Sequence, residues 1–135
     1  QGYKHDGTTR TPNTAWIYPI DENYDWLPAN DPCTIELGAG WRIPLLNEWI
    51  NTYASGGWTD WNGPWNSALK MHAAGYLEYS DGSLTDRGSS GIYWSSVMGT
   101  LGTSNGTSLI FTNTHVTWDY ALKTYGFSLR CLRVN

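Results

Sequence analysis

The chain has 135 residues, of which 15% are charged and 40% hydrophobic, and its formal net charge is −4. This length suits one domain with one core, and the composition excludes an intrinsically disordered chain. The eight Lys and Arg residues form no basic stripe, which argues against nucleic acid as a partner. No apolar run approaches the roughly 18 residues that span a membrane, so membrane insertion is not expected.

Aromatic residues with a polar group dominate the apolar composition: nine Trp and nine Tyr stand against two Phe. Such side chains bury their rings while the indole N–H or the phenol O–H finds a hydrogen-bond partner. One small core does not need nine Trp residues. We therefore expect a few of them to face a ligand, while for any single Trp a structural role is the slightly favoured interpretation.

The N-terminal half predicts two helices. Residues 1–15 are polar and aperiodic, which indicates a linker or an edge segment before a domain at 16–135. The polar start also lacks a signal-peptide pattern, as expected of a mature chain or an excised domain. Asp31 and Pro32 are typical of a helix start, and Gly38 would end that helix. Apolar residues at helical spacing predict a second helix over 45–54, closed by the glycines at 56–57.

The C-terminal half predicts short strands. The Trp-rich stretch 58–65 has too many turn residues for regular structure, so we interpret it as a long loop. Asp81 and Gly82 form a hairpin signal between two of the strands that follow. The predicted strands cover 69–72, 76–79, 83–85, 92–95, 108–112, 115–118 and 125–132. Two early helices followed by many antiparallel strands predict an α+β fold.

The last third of the chain carries the strongest functional signal. Two apolar blocks, 91–96 and 125–131, read as buried strands and enclose a looser stretch rich in Thr, Ser, Gly and Asn. A stable frame around a varied, partly aromatic surface is how binding sites are built. We call residues 97–123 the binding segment and expect most of it to be exposed. Its candidate ligand-binding residues are Met98, Leu101, Ile110, Thr112, His115, Thr117, Trp118, Tyr120, Leu122 and Lys123.

Strand alternation assigns directions within the binding segment. If Leu109 and Phe111 face inward, the residues between and beside them face solvent. The predicted outward residues are Ser108, Ile110, Thr112, His115 and Thr117, with Val116 inward and residues 118–120 in the following turn. Exposed side chains of Ile110, Trp118 and Tyr120, beside Asp119, His115 and Lys123, would then form one binding patch. The alternative interpretation places Ile110 and Trp118 in the core.

Catalytic and metal chemistry find little support in the sequence. His5, His72 and His115 lie in unrelated contexts, and no metalloprotease or nucleophile-elbow motif occurs. We therefore predict no enzyme, no catalytic residue and no cofactor. Cys33 and Cys131 lack the paired spacing of metal ligands, so no metal site is expected from them.

The two cysteines allow two interpretations. They could form a disulfide closing a loop of about 100 residues, which stabilises by roughly 4–5 kcal/mol in the chain-entropy model. The alternative is two free buried thiols in a reducing cytosol. Low charge with abundant Trp, Thr and Gly is typical of an extracellular domain and favours the disulfide between Cys33 and Cys131.

Several sequence blocks together resemble a known family. Leu-Gly-Ala-Gly-Trp-Arg-Ile-Pro at 37–44, Glu-Trp at 48–49, Tyr-Trp-Ser-Ser at 93–96 and Tyr-Gly-Phe-Ser-Leu-Arg-Cys at 125–131 occur in the order and spacing of a bacterial C-type-lectin-like domain. The pattern is similar to the Fibrobacter succinogenes major paralogous domain, found in surface proteins of gut bacteria. One departure is Leu45, where a Thr usually follows the Pro. Asn47 or Glu48 would then help to start the helix.

The resemblance implies a C-type-lectin-like fold that recognises a ligand. Some members of this group are variable proteins of diversity-generating retroelements, which would make residues 97–123 the diversified segment. Sugar-binding C-type lectins hold calcium through tripeptides that are absent here, so calcium-dependent sugar binding is disfavoured. A structural ion near Asp81 or Asp86 stays open beside the interpretation of both residues as hairpin turns.

These observations lead to one main hypothesis and two alternatives. The main hypothesis is an adhesion or binding domain on a bacterial cell surface or phage virion, directed at a protein or glycan on another cell or surface. One alternative is a structural surface or pilus subunit that packs through the stretch 58–65. The other is a calcium-independent, glycan-binding lectin.

Overall fold

The structure is a computed structural model that describes residues 24–102 and 104–134. The described chain is α+β, as predicted, and its strands form three small antiparallel sheets, β1–β7, β2–β3 and β4–β5–β6. The predicted linker 1–15 and the start of the domain at 16–23 lie outside the described residues. The helices are α1 (Pro32–Leu37), α2 (Leu46–Ser55) and α3 (Asn62–Asn66); the strands are β1 (Trp41–Arg42), β2 (Tyr76–Leu77), β3 (Leu84–Thr85), β4 (Gly91–Met98), β5 (Asn105–Phe111), β6 (Val116–Leu122) and β7 (Leu132–Arg133).

Helix α1 starts and ends as the sequence predicted. The carboxylate of Asp31 accepts the N–H groups of Cys33 at 2.7 Å and Thr34 at 3.4 Å, which are two of the unpaired donors at a helix start. Its second oxygen also accepts the N–H of Ile43 at 2.9 Å. Gly38 ends the helix with φ of +95°, which favours glycine. The buried Asp31 side chain therefore joins α1 to the residue that follows β1.

Helix α2 confirms the predicted amphipathic helix and shows how it begins without a Thr. Leu45 has no side-chain acceptor, and Glu48 accepts the Leu45 N–H at 2.7 Å. This is the Glu half of a capping box. The same carboxylate forms a bidentate pair with Arg42, both bonds being 2.7 Å long. Gly57, with φ of +61°, follows the end of α2.

The predicted long loop 58–65 is partly wrong, because it contains the third helix, α3. Asp60 accepts the N–H of Asn62 at 2.8 Å and so starts a helical turn that Pro64 can join. Trp58 is buried, and its side chain lies against the backbone of Gly63. A local Asp60 turn and a buried ring thus accompany a short helix despite the turn-forming composition.

Two predicted strands are also wrong. Residues 69–72 form no strand, since Lys70 has φ of +49° and the chain turns there, while Met71 enters the core from a loop. Residues 125–132 are not one continuous strand. Gly126 bridges Leu77, Ser128 bridges Tyr93, and only the short β7 follows. The segment pairs first with a residue of one sheet and then with a residue of another, so it cannot form one continuous ladder of backbone hydrogen bonds.

The central sheet β4–β5–β6 is covered on the face toward α2 by the main core. That core joins Trp49 of α2 and Met71 to Tyr93, Leu109 and Phe111 of the sheet. Leu109 and Phe111 are fully buried, and Val116 packs against them, so these three predicted inward residues are confirmed.

The opposite face of the central sheet is covered by a second aromatic cluster. Trp94 contacts Phe127 with ring centroids 4.3 Å apart, and Phe127 stacks on Tyr125 at 5.2 Å. Tyr76 of β2 meets both rings of that stack edge-on. The predicted hairpin at Asp81 and Gly82 connects β2 to β3 and is confirmed. Both faces of the sheet are therefore packed.

The disulfide between Cys33 and Cys131 is present, with their Cα atoms 5.4 Å apart. It fixes α1 to the segment just before β7, and β7 in turn pairs with β1. This bond is consistent with an extracellular protein. Within 24–102 and 104–134, no helix is long and apolar enough to cross a membrane.

Candidate ligand-binding groove

The binding segment is a β-ribbon made of β5 and β6, and its register separates the predicted site residues. Trp118 lies opposite Leu109, and Tyr120 lies opposite Thr107. Directly opposed residues project from the same face of a sheet. Trp118 and Tyr120 therefore project toward the main core face, whereas Ile110, paired with Thr117, projects toward the opposite face. The predicted single patch of Ile110, Trp118 and Tyr120 is wrong.

Two details of the exposure prediction need correction. Trp118 to Tyr120 lie within β6 and not in a turn. Ser108 was predicted to face solvent, yet it is fully buried. Its face of the sheet is covered, since its β4 neighbour Trp94 packs under Phe127. The middle of the binding segment is thus core, and exposure concentrates at the ribbon's two ends and on β6.

The closed end of the ribbon carries Thr112 and His115, two of the predicted site residues. The Thr112 N–H donates to the His115 carbonyl at 2.9 Å, and the Thr112 hydroxyl lies 3.0 Å from His115 Nδ1. The Thr114 hydroxyl lies 3.3 Å from the same nitrogen. His115 and Thr117 are exposed, as predicted. This end offers a small polar tip with an oriented imidazole.

The open end of the ribbon, some 20 Å away along seven-residue strands, holds five of the predicted residues. Tyr120 accepts a hydrogen bond from the Thr100 hydroxyl at 2.9 Å and meets Trp118 edge-on. Leu101 is 69% exposed in the connection between β4 and β5. The predicted residues gathered at this end are Met98, Leu101, Tyr120, Leu122 and Lys123.

An open groove of about 420 Å³ adjoins this end of the ribbon. Its size falls in the range of small-molecule sites. Tyr120 and Leu122 are the two predicted site residues in its lining. Their side chains share a face with Trp118, on the other side of the sheet from Phe127, so the groove meets these two residues at the edge strand β6. The full lining is Tyr76, Asp86, Ile92, Asn105, Tyr120, Ala121, Leu122, Tyr125 and Phe127, which we call the aromatic groove.

Most of the aromatic groove was missed by the sequence analysis, for identifiable reasons. Tyr125 and Phe127 were assigned to a buried strand, and Asp86 was assigned to a hairpin turn. The one available signal was the density of Tyr residues at 76–79 and 125, which favours rings with a wet hydroxyl end. Their convergence depends on Gly126 pairing with Leu77, a contact between distant segments.

The groove wall is built from rings that hold one another in place. Tyr76 and Tyr125 meet at 78° with centroids 5.6 Å apart, and Tyr76 meets Phe127 at 88° and 5.9 Å. Edge-to-face and offset-stacked contacts of this kind are favourable aromatic geometries. Tyr79 adds a further edge contact to Tyr125 at 5.1 Å. The wall is therefore ordered before any ligand arrives.

Carboxylates give the groove an anionic character. Burial raises the pKa of the Tyr76 phenol, and the charges of Asp86 and Glu78 and a hydrogen bond to Asp86 raise it further. Burial likewise raises the pKa of Tyr125, with the Glu78 charge as the next cause. The negative potential thus extends over both tyrosines.

Asp86 is held in an unusual backbone conformation, with φ of +54°. Its carbonyl accepts the N–H groups of Ser89 and Ser90, both at 3.0 Å. The backbone on both sides of Asp86 packs closely against Gly75, where an added Cβ would lie 2.3 Å from the Thr85 carbonyl oxygen and 2.6 Å from the Arg87 nitrogen. Left-handed backbone outside glycine is often kept where a side chain must be aimed. Here it accompanies a carboxylate in the groove lining.

Metal coordination has no assembled ligand set in the described parts of the chain. No group of three or more His, Cys, Asp or Glu residues converges there. Asp81 accepts the Ser83 N–H at 2.8 Å, which is the contact of a turn residue. The Asp86 carbonyl accepts the Ser89 and Ser90 N–H groups at 3.0 Å, which are the contacts of a turn. Both contacts agree with the turn interpretation of these acids.

Comparisons with known proteins leave the family open. No family model matches the chain, and no curated protein or solved structure is significantly similar to it.

Proposed function

We propose that the protein is a ligand-recognition domain of C-type-lectin-like type that binds a protein or glycan at the open end of its β5–β6 ribbon. The observation that carries the proposal is the aromatic groove, which joins Tyr120 and Leu122 of the binding segment to ordered rings of the frame. Binding would be noncovalent and without a cofactor. The domain would act at a bacterial cell surface or on a phage virion.

The packing of the sheet supports this location. Both faces of the central sheet are covered, so a ligand cannot lie flat on β4 and β5. The disulfide and the Asp31 hydrogen bonds at the start of α1 fix the N-terminal helix to the rest of the domain. Leu101 and the β6 side chains Thr117 and Asp119 remain accessible. A rigid frame with an accessible edge lowers the entropy lost on binding.

Diversification by a retroelement is part of the proposal, and the packing limits where it can act. Thr107, Ser108, Leu109 and Phe111 are buried, so random replacement there would create cavities or unpaired polar groups. Sibling genes should therefore vary at adenine-containing codons for exposed positions such as Leu101, and spare those four. An even spread of substitutions over 97–123 would contradict diversified binding.

The binding test compares the two ends of the ribbon. The purified domain is screened on protein and glycan arrays beside two double variants, Tyr120→Ala with Leu122→Ala and His115→Ala with Thr117→Ala. For a ligand that the wild-type domain binds, we expect the first double variant to bind at least about tenfold more weakly, as for the loss of a central contact cluster that contributes over about 1.4 kcal/mol. The second double variant removes the same number of side chains at the other end, and its affinity for that ligand should not change.

The outcomes separate the sites. Loss only in the variant of His115 and Thr117 would move binding to the closed end of the ribbon. A hit that survives in both variants would contradict binding by this ribbon. Thermal unfolding of each variant identifies any loss that is due to misfolding.

A structural subunit is the second candidate, and one observation favours it. Trp65 is 54% exposed on α3, whereas Trp58 is buried and Trp61 packs against the core. Only one of the three Trp residues in 58–65 can therefore dominate packing between copies. Sedimentation at high concentration tests this role: an assembly that Trp65→Ala dissolves would support it, and a monomer would contradict it.

A further inference from the structure

We propose that the aromatic groove binds an alkylammonium cation, with the rings of Tyr76, Tyr125 and Phe127 as its apolar wall and the Asp86 carboxylate as the counterion. The inference rests on the proposed function, because it names the ligand chemistry of the same groove. An alkylammonium group reaches a protein surface either as a small quaternary amine such as choline or as a lysine side chain. Both sources share a cation carried on carbon.

The ring geometry fits such a cation. Aromatic faces carry a negative quadrupole, and quaternary ammonium groups bind against faces of Tyr, Trp and Phe within about 6 Å. The stack of Tyr125 on Phe127 and the perpendicular Tyr76 ring present ring atoms to the groove in two orientations and not as one flat plate. A rounded methylammonium group fits such a wall. A flat sugar ring would instead need one open aromatic platform.

The charges in the groove point the same way. Asp86 lies in the lining, and no Lys or Arg belongs to that lining among the described residues. The charges of Asp86 and Glu78 both act on the Tyr76 phenol. A neutral ligand would cover the Asp86 carboxylate without supplying an opposite charge, which is costly. An ammonium group supplies that charge and tolerates the apolar wall.

The experiment uses a matched pair of ligands. The purified domain, labelled with ¹⁵N, is titrated by NMR with choline and with 3,3-dimethylbutan-1-ol, which replaces the charged nitrogen by carbon at the same shape. We expect choline to bind with a Kd on the order of 1 mM, typical of a single exposed ammonium group, and the alcohol to bind far more weakly. Shifts should concentrate on backbone amides near Tyr125 and Asp86. Butylammonium serves as the lysine-side-chain probe, and glucose as the neutral sugar probe.

Two variants and their controls test the assigned groups. Asp86→Asn removes the charge, and Asn accepts the left-handed backbone as readily as Asp does. We expect choline affinity to fall severalfold, in line with loss of a partly exposed ion pair. Asp81→Asn removes an exposed turn carboxylate outside the groove and should leave affinity unchanged. Tyr125→Leu should lower the affinity for choline by between about twofold and thirtyfold. Tyr125→Phe keeps the aromatic ring and should therefore keep the affinity.

The inference is overturned if choline and the alcohol bind equally, if neither ammonium probe binds, or if glucose binds at the groove instead. Choline without butylammonium assigns the small-amine source, and the reverse assigns the lysine source. If array binding is lost in the Tyr120→Ala, Leu122→Ala double variant while no ammonium probe binds, the proposed function stands and this inference fails. If the array hit survives in that double variant, the proposed function fails independently of the titration.

Discussion

Asp31 gives the sharpest prediction about stability, because one buried carboxylate bonds three backbone N–H groups. Its side chain is only 2% exposed, and it connects the start of α1 to Ile43. In Asp31→Ala the cap is lost, which costs about 1 kcal/mol. The Ile43 N–H is also left buried without its acceptor, which costs a further 1–3 kcal/mol or so. We expect the free energy of unfolding to fall by about 2–4 kcal/mol.

Asp31→Asn tests the same reasoning with almost no change in shape. The amide has one oxygen, so its NH₂ group must face either the helix donors or the Ile43 N–H. We expect a loss of about 1–3 kcal/mol from that mismatch. The control is Asp60→Ala, which removes a single exposed cap bond to Asn62 and should cost about 1 kcal/mol or less. The assay is denaturant unfolding followed by circular dichroism with the disulfide intact. The reasoning is refuted if Asp31→Ala costs no more than Asp60→Ala.

Three further predictions concern the frame. Replacing Cys33 and Cys131 by Ala should lower the free energy of unfolding by roughly 4–5 kcal/mol, because the bond closes a long loop across 98 positions; a denaturation midpoint unchanged by the substitutions would contradict this. Gly91→Ala should lower the free energy of unfolding by about 1–3 kcal/mol or more, because the new Cβ would lie 2.2 Å from the Phe111 ring. In the double variant with Phe111→Leu, the smaller leucine side chain should recover part of that loss. The hydrogen bond from Arg42 lowers the pKa of Glu48 below its ordinary value of 4.5, so the stability from this pair is present above pH 4.5 and is lost as pH falls through the folded-state pKa. Glu48→Gln should lower the free energy of unfolding by about 1 kcal/mol or less at neutral pH and flatten the acid side of the plot of stability against pH. A pH profile that the substitution leaves unchanged would argue against the pair.

The elements whose signals are local were predictable from the sequence. The cap residue Asp31, the glycine after α1 and the helical spacing of α2 each act within a few residues, and all three are confirmed. The hairpin at Asp81 is local in the same sense. The disulfide was favoured by composition alone, yet its geometry depends on bringing β7 beside β1.

The elements that failed depend on contacts between distant segments. A run such as 125–132 alternates like a strand, but its residues bond first to Leu77 and then to Ile92. Met71 was assigned to the predicted strand 69–72, whereas a loop carries it into the core. At the start of helix α3, the Trp61 N–H donates to the distant Thr112 carbonyl at 2.7 Å. None of these partners can be read from neighbouring residues.

The binding segment shows most clearly what alternation can and cannot decide. The period of two correctly placed Leu109 and Phe111 on one face and Ser108 on the other. It could not say that the second face is also covered, because the covering rings come from residues 76 and 125–127. Once both faces are packed, variation on the central strand is costly, and a ligand must be met at the ribbon's ends. The open end has the aromatic rings and the carboxylate of Asp86 beside it, and the closed end has only a polar tip. The proposed recognition at the open end therefore rests on the packing of the whole sheet and not on the binding segment alone.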